Sequence, residues 1–163
     1  MARTPAWEQE YCEYFAARQR SFMRAAYAML GSWPAAEDAV QSTFTALYVR
    51  WPRITGDSPD AYARRVLVNT CIDLSRRRRR ELVTDRLPDR QVEDQSSIDL
   101  MQALDRLSVR DRAVVALRYL EDLSVRDVAL ALDLPEGTVK SRSSRALARL
   151  EQLLAHSTEE TSS

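Results

Sequence analysis

The stretch LSVRDVALALDLPEGTVKSRSSRALARL, residues 123–150, decides the reading of the chain. Val125, Val128, Ala129 and Leu132 fall on one apolar face of a short helix, with small Ala129 where a second helix has to come close. A brief turn follows, Asp133 to Gly137. The next helix then sets Val139, Ser143, Ala146, Leu147 and Leu150 at i, i+4, i+7, i+8 and i+11, a single buried stripe. Facing outward near its amino end are Thr138, Lys140, Ser141, Ser144 and Arg145, with Arg142 at the margin. These are the side chains that a recognition helix offers to major-groove base edges and to phosphates. The pattern predicts a DNA-binding helix-turn-helix rather than an ordinary hairpin with a solvated basic face. The helix before it, 109–120 (VRDRAVVALRYL), is apolar enough to pack beneath the motif. Its Arg110, Asp111, Arg112 and Arg118 are expected to be solvated or to touch phosphate.

Working outward, helix breakers divide the rest of the 163 residues. Gly31 with Pro34, Pro52 through Pro59, Pro88, and Pro135 with Gly137 leave blocks without internal proline. Helices are predicted near 7–30, 34–51, 59–79, 98–107, 109–120, 124–132 and 138–155. With only 3 Gly and 6 Pro, there is little material for multi-turn β architecture or for glycine-rich phosphate loops, so the fold class is all-α. Residues 81–97 (ELVTDRLPDRQVEDQSS) are polar, without apolar periodicity, and read as a flexible linker. The organisation is therefore two small helical domains, 7–80 and 98–155, joined by that linker. No internal repeat is evident.

The 24 Lys and Arg balance the 24 Asp and Glu, which excludes a simple polycation that coats nucleic acid. The order of the charges carries more than their total. Seven arginines (Arg64, Arg65 and Arg76 to Arg80) face the single acid Asp73 between 62 and 80. Residues 138–149 hold Lys140, Arg142, Arg145 and Arg149 and no acid. Between them, 81–97 and 121–136 are acidic. Each domain thus carries one basic segment, and all but one of the basic residues are arginine, the side chain suited to forked contacts with phosphate and guanine.

Other classes find little support. No apolar window is long enough to span a membrane, and the amino end (MARTPAWEQEYCEYF) is acidic and aromatic rather than a signal peptide. Cys12 and Cys71 stand apart without a CxxC partner, and His156 is the sole histidine, so neither a zinc site nor a disulfide framework is expected. Both cysteines read as small core residues. An enzyme acting on nucleic acid would need a metal-ligand cluster, a nucleophile with its base, or a phosphate loop, and the sequence presents none.

In the amino-terminal domain, Ala36, Val40, Phe44, Leu47 and Trp51 recur as a core stripe, while Glu37, Asp38, Gln41 and Thr45 form a compact acidic and polar patch. Such a patch on a DNA-binding protein suits a basic protein partner, and this segment alone fits a plain solvated face equally well. In helix 59–79, Tyr62, Val66, Leu67, Thr70, Cys71 and Leu74 fill one side, and Arg65, Asn69, Ile72, Asp73 and Arg76 line the other. AEDAVQSTFTALYVRW, then DAYARRVLVNTCIDLSRRRR, a polar linker and the helix-turn-helix resemble, in order and spacing, the extracytoplasmic-function (ECF) sigma factors of bacterial RNA polymerase, most closely the actinobacterial sigma-E-like branch. The resemblance covers roughly residues 10–155.

What it implies is a promoter-specificity subunit that is not an enzyme, with no catalytic residue, metal, cofactor or small-molecule substrate. Glu37, Asp38, Gln41 and Phe44 would dock on the clamp helices of the largest polymerase subunit. Arg53, Ile54, Asp57 and Ser58 would form the loop that captures a base flipped from the minus-10 element. Arg64, Arg65, Asn69, Asp73, Arg76 and Arg77 would face DNA on the promoter-melting helix. Thr138, Lys140, Ser141, Arg142, Ser144 and Arg145 would read the minus-35 element. The implied partners are core RNA polymerase, including the flap of its second-largest subunit, promoter DNA, and an anti-sigma factor. The implied location is the cytoplasm, at the membrane where the anti-sigma factor is tethered. The chain departs from the family at Ser42, often Glu; at Asp133, often Gly; and at Ser143, often Leu, which would loosen the packing of the last domain. An autonomous helix-turn-helix regulator with an amino-terminal dimerisation domain accounts for the motif but leaves the melting helix and acidic patch without a role.

Overall fold

Glycine, proline and serine set the element ends where the sequence pattern places them. In a computed structural model describing residues 3–54, 58–81 and 95–161, helix α1 (Ala6–Leu30) stops at Gly31, whose φ of 68° is left-handed and whose N–H reaches the Tyr27 carbonyl at 2.7 Å. Ser32 caps α2 (Trp33–Arg50), its Oγ accepting from the Ala35 N–H at 3.3 Å, with Pro34 in the first turn. A 3-10 turn, Trp51–Arg53, leads towards α3 (Pro59–Glu81). Then come α4 (Gln95–Asp105), α5 (Val109–Val115, widening into a π turn over Ala116–Leu120), α6 (Val125–Leu132) and α7 (Glu136–Thr161). The described residues contain no strand, and no helix among them is long and apolar enough to cross a membrane. Asp57 and linker residues 82–94 lie outside the described residues. Helix α4 starts at Gln95, so its first turn takes in residues assigned to the linker.

The pentapeptide Leu-Ser-Val-Arg-Asp occurs twice, at 107–111 and 123–127, a local repeat that the sequence reading passed over. Each copy starts a helix. Ser108 Oγ accepts from the Asp111 N–H at 3.2 Å, and Ser124 Oγ from the Asp127 N–H at 3.1 Å. The preceding Leu107 and Leu123 are both buried, which fixes the entry of the chain into each helix.

Poverty in glycine has a structural consequence at the other ends of these helices. Asp122 (φ 52°) and Asp133 (φ 53°) adopt the left-handed conformation that glycine usually supplies. The Leu134 N–H closes the α6 end by donating to the Ala129 carbonyl at 3.0 Å. Asp133→Gly is expected to raise stability by about 1 kcal/mol, read as a higher denaturant midpoint, because it removes the left-handed penalty. A lower midpoint would mean that the aspartate charge contributes more than its backbone costs.

Helices α1, α2 and α3 pack on one another around Phe22, Met29, Leu47 and Leu67, all fully buried. An aromatic cluster closes one end: Phe15, Phe22, Tyr11 and Tyr14 surround Phe44, and Tyr11 and Tyr14 also meet Trp51. Helices α4 to α7 pack around Val114, Leu117, Val128 and Val139. The two groups touch as well. Helix α6 lies on α3, and α1 packs against α4, α5 and its π turn, so the buried apolar residues form one continuous cluster.

Candidate nucleic-acid and partner interfaces

On α7 the predicted stripe is the observed one: Val139, Ser143, Ala146 and Leu150 are buried and Leu147 is half-buried. Lys140, Ser141, Ser144 and Arg145 are exposed, and Thr138 and Arg142 are half-buried. Three of these six make contacts within the protein, two inside α7 and one to α5. Ser141 Oγ donates to the Thr138 carbonyl (3.1 Å), Arg145 Nε to the Ser141 carbonyl (3.3 Å), and Arg142 pairs with Asp111 at 3.2 Å. Ser143 is buried but not left without a hydrogen-bond partner. Its hydroxyl meets that of Tyr119 at 3.0 Å, so the polar group on the stripe has a partner that arrives from the π turn of α5.

Helix α3 presents Arg65, Asn69, Asp73, Arg76 and Arg77 to solvent along one side. Arg64, grouped with them from sequence, turns inward. Its side chain is 14% exposed and lies 3.8 Å from Asp60, which also pairs with Arg18 at 2.7 Å and accepts from the Tyr14 hydroxyl at 2.6 Å. Burial, reinforced by the Asp60 contact, pushes the Tyr14 phenol well above its ordinary range. Asp60 thus ties α1 to the amino end of α3, and Arg64 belongs to that tie rather than to the outer face. Before α3, Arg53 and Ser58 are exposed and Ile54 is half-buried, with Ser58 Oγ accepting from the Asp60 N–H at 3.3 Å.

On α2, Glu37, Asp38 and Gln41 are exposed. Phe44 is not: it is 3% exposed, 4.6 Å from Phe15 between ring centroids and stacked on Phe22 at 5.6 Å. It holds the helix in place and cannot present itself to a partner, which removes it from the docking surface. Sequence periodicity passed over Val49, which is 72% exposed. With Gln41, Ser42, Thr45, Ala46, Arg50 and Tyr62 it lines a shallow groove of ≈ 620 Å³ beside the acidic patch. The Arg50 guanidinium lies over the Tyr62 ring there, 5.5 Å from its centroid.

Two further expectations change. Cys12 is exposed rather than core, whereas Cys71 is buried and its thiol is pushed up to about 12 by desolvation. Arg112 is neither solvated nor set against phosphate. It is 7% exposed, with Nη1 3.5 Å from Asp105 and Nη2 3.5 Å from Ser75 Oγ. A charged side chain in an apolar helix pattern reads as surface, and no local signal marks it as buried.

Comparison with known proteins assigns the two halves. Residues 14–81 match the family described as Sigma-70 region 2, and residues 97–150 match Sigma-70, region 4. The chain is 38% identical over 152 residues to the RNA polymerase sigma-E factor of Streptomyces avermitilis, covering 89% of this chain and 85% of that protein. It is also 38% identical over 154 residues to the RNA polymerase sigma-E factor of Streptomyces coelicolor, covering 90% and 87%. In fold it is similar to the sigma factor RpoE of Bartonella quintana, solved with the anti-sigma factor NepR. That likeness has a TM-score of 0.75 and 24% identity, over 90% of this chain and 98% of the other.

Proposed function

Because the chain belongs to the sigma-70 family, as an ECF-type RNA polymerase sigma factor, we propose how its exposed residues divide the work of promoter recognition. A sigma factor binds core RNA polymerase and directs initiation from specific promoters. It supplies recognition and strand separation rather than covalent chemistry, and acts in the cytoplasm. Residues 98–155 read the minus-35 duplex through α7, with Lys140, Ser141, Ser144 and Arg145 at base edges and phosphates and Thr138 and Arg142 at the margin. Residues 7–80 hold the opened minus-10 strand. Arg65, Asn69, Asp73, Arg76 and Arg77 line its path on α3, and Arg53, Ile54, Asp57 and Ser58 receive an unstacked base at a cost of a few kcal/mol. Glu37, Asp38 and Gln41, with the Val49 groove, dock on the clamp helices of the largest polymerase subunit, and the 98–155 half meets the flap of the second-largest.

The observation that carries this division is α7, where an unbroken buried stripe forces the acid-free basic residues outward at its amino end. An anti-sigma factor is the fitting regulator, since a sigma factor of the same fold was solved with one. A dimeric helix-turn-helix regulator is not favoured, because it leaves the region 2 half without a task. Run-off transcription from a genomic fragment library, with purified core polymerase and with or without this protein, tests the reading. New transcripts that depend on the protein are expected, and their loss on substituting Lys140 and Arg145 with Ala would locate minus-35 reading on α7. No protein-dependent transcript from any fragment would overturn it.

A further inference from the structure

Tyr14 touches both ends of the segment assigned to base capture. Its ring centroid lies 5.2 Å from that of Trp51, in the 3-10 turn where the segment begins, and Tyr11 meets the same indole edge-on at 5.5 Å. Its hydroxyl donates to Asp60 Oδ1 at 2.6 Å, in the first turn of α3 where the segment ends. A hydroxyl on a carboxylate makes a short, strong hydrogen bond, and here it joins α1 to the start of α3.

The Asp60 carboxylate is itself fixed. Its other oxygen, Oδ2, accepts from Arg18 of α1 at 2.7 Å and lies 3.8 Å from Arg64, so cations hold one side of the group and the phenol the other. The Asp60 N–H donates to Ser58 Oγ at 3.3 Å, and the Ala61 N–H to the Ser58 carbonyl at 3.1 Å, which winds Ser58 onto the start of α3. At the opposite end the Ile54 N–H donates to the Trp51 carbonyl at 3.2 Å. Ile54 and Ser58 are thus each one hydrogen bond away from a residue that Tyr14 touches. A plain tie between two helices could sit anywhere along them, whereas this one sits where the segment ends and shares its tyrosine with the residue where the segment begins. Extracting a base from its stack is costly, so a receiving segment whose ends are already set binds it more tightly than one that must first be ordered.

We propose that Tyr14 and Asp60 are positioning residues for minus-10 base capture: the ring and hydroxyl of Tyr14 clasp the two ends of the receiving segment, and Arg18 and Arg64 hold the Asp60 carboxylate in that clasp. The proposal rests on the assignment of Arg53, Ile54 and Ser58 to the unstacked base. Tyr14 and Asp60 act through Ile54 and Ser58 rather than by touching the base. They therefore set how well one base is selected, and not how tightly the chain holds the strand's phosphates or core polymerase.

The test uses the whole chain bound to core polymerase. Run-off transcription first recovers a promoter. Single-stranded oligonucleotides carrying its minus-10 element, intact or with one base at a time replaced by an abasic site, are then titrated below the melting point of every variant. The position whose loss most weakens binding identifies the captured base. In Tyr14→Phe the ring stays on Trp51 but the hydroxyl bond is gone, and the ratio of intact to abasic affinity at that position is expected to fall about 5-fold. Affinity for the abasic strand and for core polymerase should stay as in the parent. Asp60→Asn should lower the ratio similarly, and the double variant should fall no further than either single one, because the two residues act as a unit. A tie with no part in capture would weaken both strands alike or neither, and either result with Tyr14→Phe overturns the proposal. Should Asp60→Asn fail to fold, Tyr14→Phe decides alone. Arg53→Ala and Ile54→Ala separate the proposal from the reading beneath it. A base selection that neither weakens does not come from this segment, and overturns the base-capture assignment together with the clasp. A selection that both weaken and Tyr14→Phe leaves intact overturns the clasp alone.

Discussion

R76E/R77E is expected to lower open-complex formation roughly 100-fold while leaving the thermal midpoint nearly unchanged. Both arginines are exposed on α3, so the fold does not depend on them. Two charge-assisted contacts to phosphate, at about 1.5 kcal/mol or more each, account for the loss. Salt dependence supplies a second reading. With two fewer phosphates neutralised, the slope of log K against log salt should become shallower by roughly 1.4 to 1.8. The neighbouring Arg78 provides the contrast. It donates to the Leu30 carbonyl at 2.9 Å and so closes the end of α1, which means that its replacement should lower stability. Transcription assays with core polymerase, titrated in salt beside thermal melts, check both. Unchanged open-complex formation by R76E/R77E would remove this segment from the DNA path.

What could be read from sequence depended on how far apart the interacting residues lie. The α7 stripe is contained in one helix, and a spacing of 3.6 residues per turn is enough to find Val139, Ser143, Ala146 and Leu150. The element ends were legible for a similar reason, because Gly31, Ser32, Pro34 and Pro59 act on the backbone next to them. Contacts that join distant segments left no such trace. Tyr14, Arg18 and Arg64 meet on Asp60 only once α3 crosses α1, and Tyr119, in the π turn of α5, meets Ser143 of α7 across 24 positions of sequence. Arg112 was misplaced because charge outweighs periodicity in a surface pattern, and here tertiary packing overrode it. The packing of α6 on α3 is invisible to any single-segment pattern, since the two helices are separated by the linker and two further helices.

Phe44→Ala is expected to cost about 3–5 kcal/mol, which out of the roughly 5–15 kcal/mol that holds a typical domain brings the amino-terminal half close to unfolding. Truncation would leave a cavity at the centre of the aromatic cluster, where the ring sits among Phe15, Phe22, Tyr11 and Tyr14. The hydrogen bond from the Tyr11 hydroxyl to the Phe44 carbonyl, 2.8 Å, involves the backbone and is not removed directly, so the loss is one of packing. Core-polymerase binding would fall as well, but only in step with the fraction folded. Glu37→Lys with Asp38→Lys should behave in the opposite way. Both residues are exposed on the same helix, so the unfolding midpoint should move little, while binding to core polymerase drops about 10-fold or more and loses its dependence on salt. Chemical denaturation and polymerase pull-down on the two variants separate scaffold from contact. If Phe44→Ala remained as stable as the parent and lost only polymerase binding, its side chain would have to reach the partner, and the burial that places it in the core would be wrong.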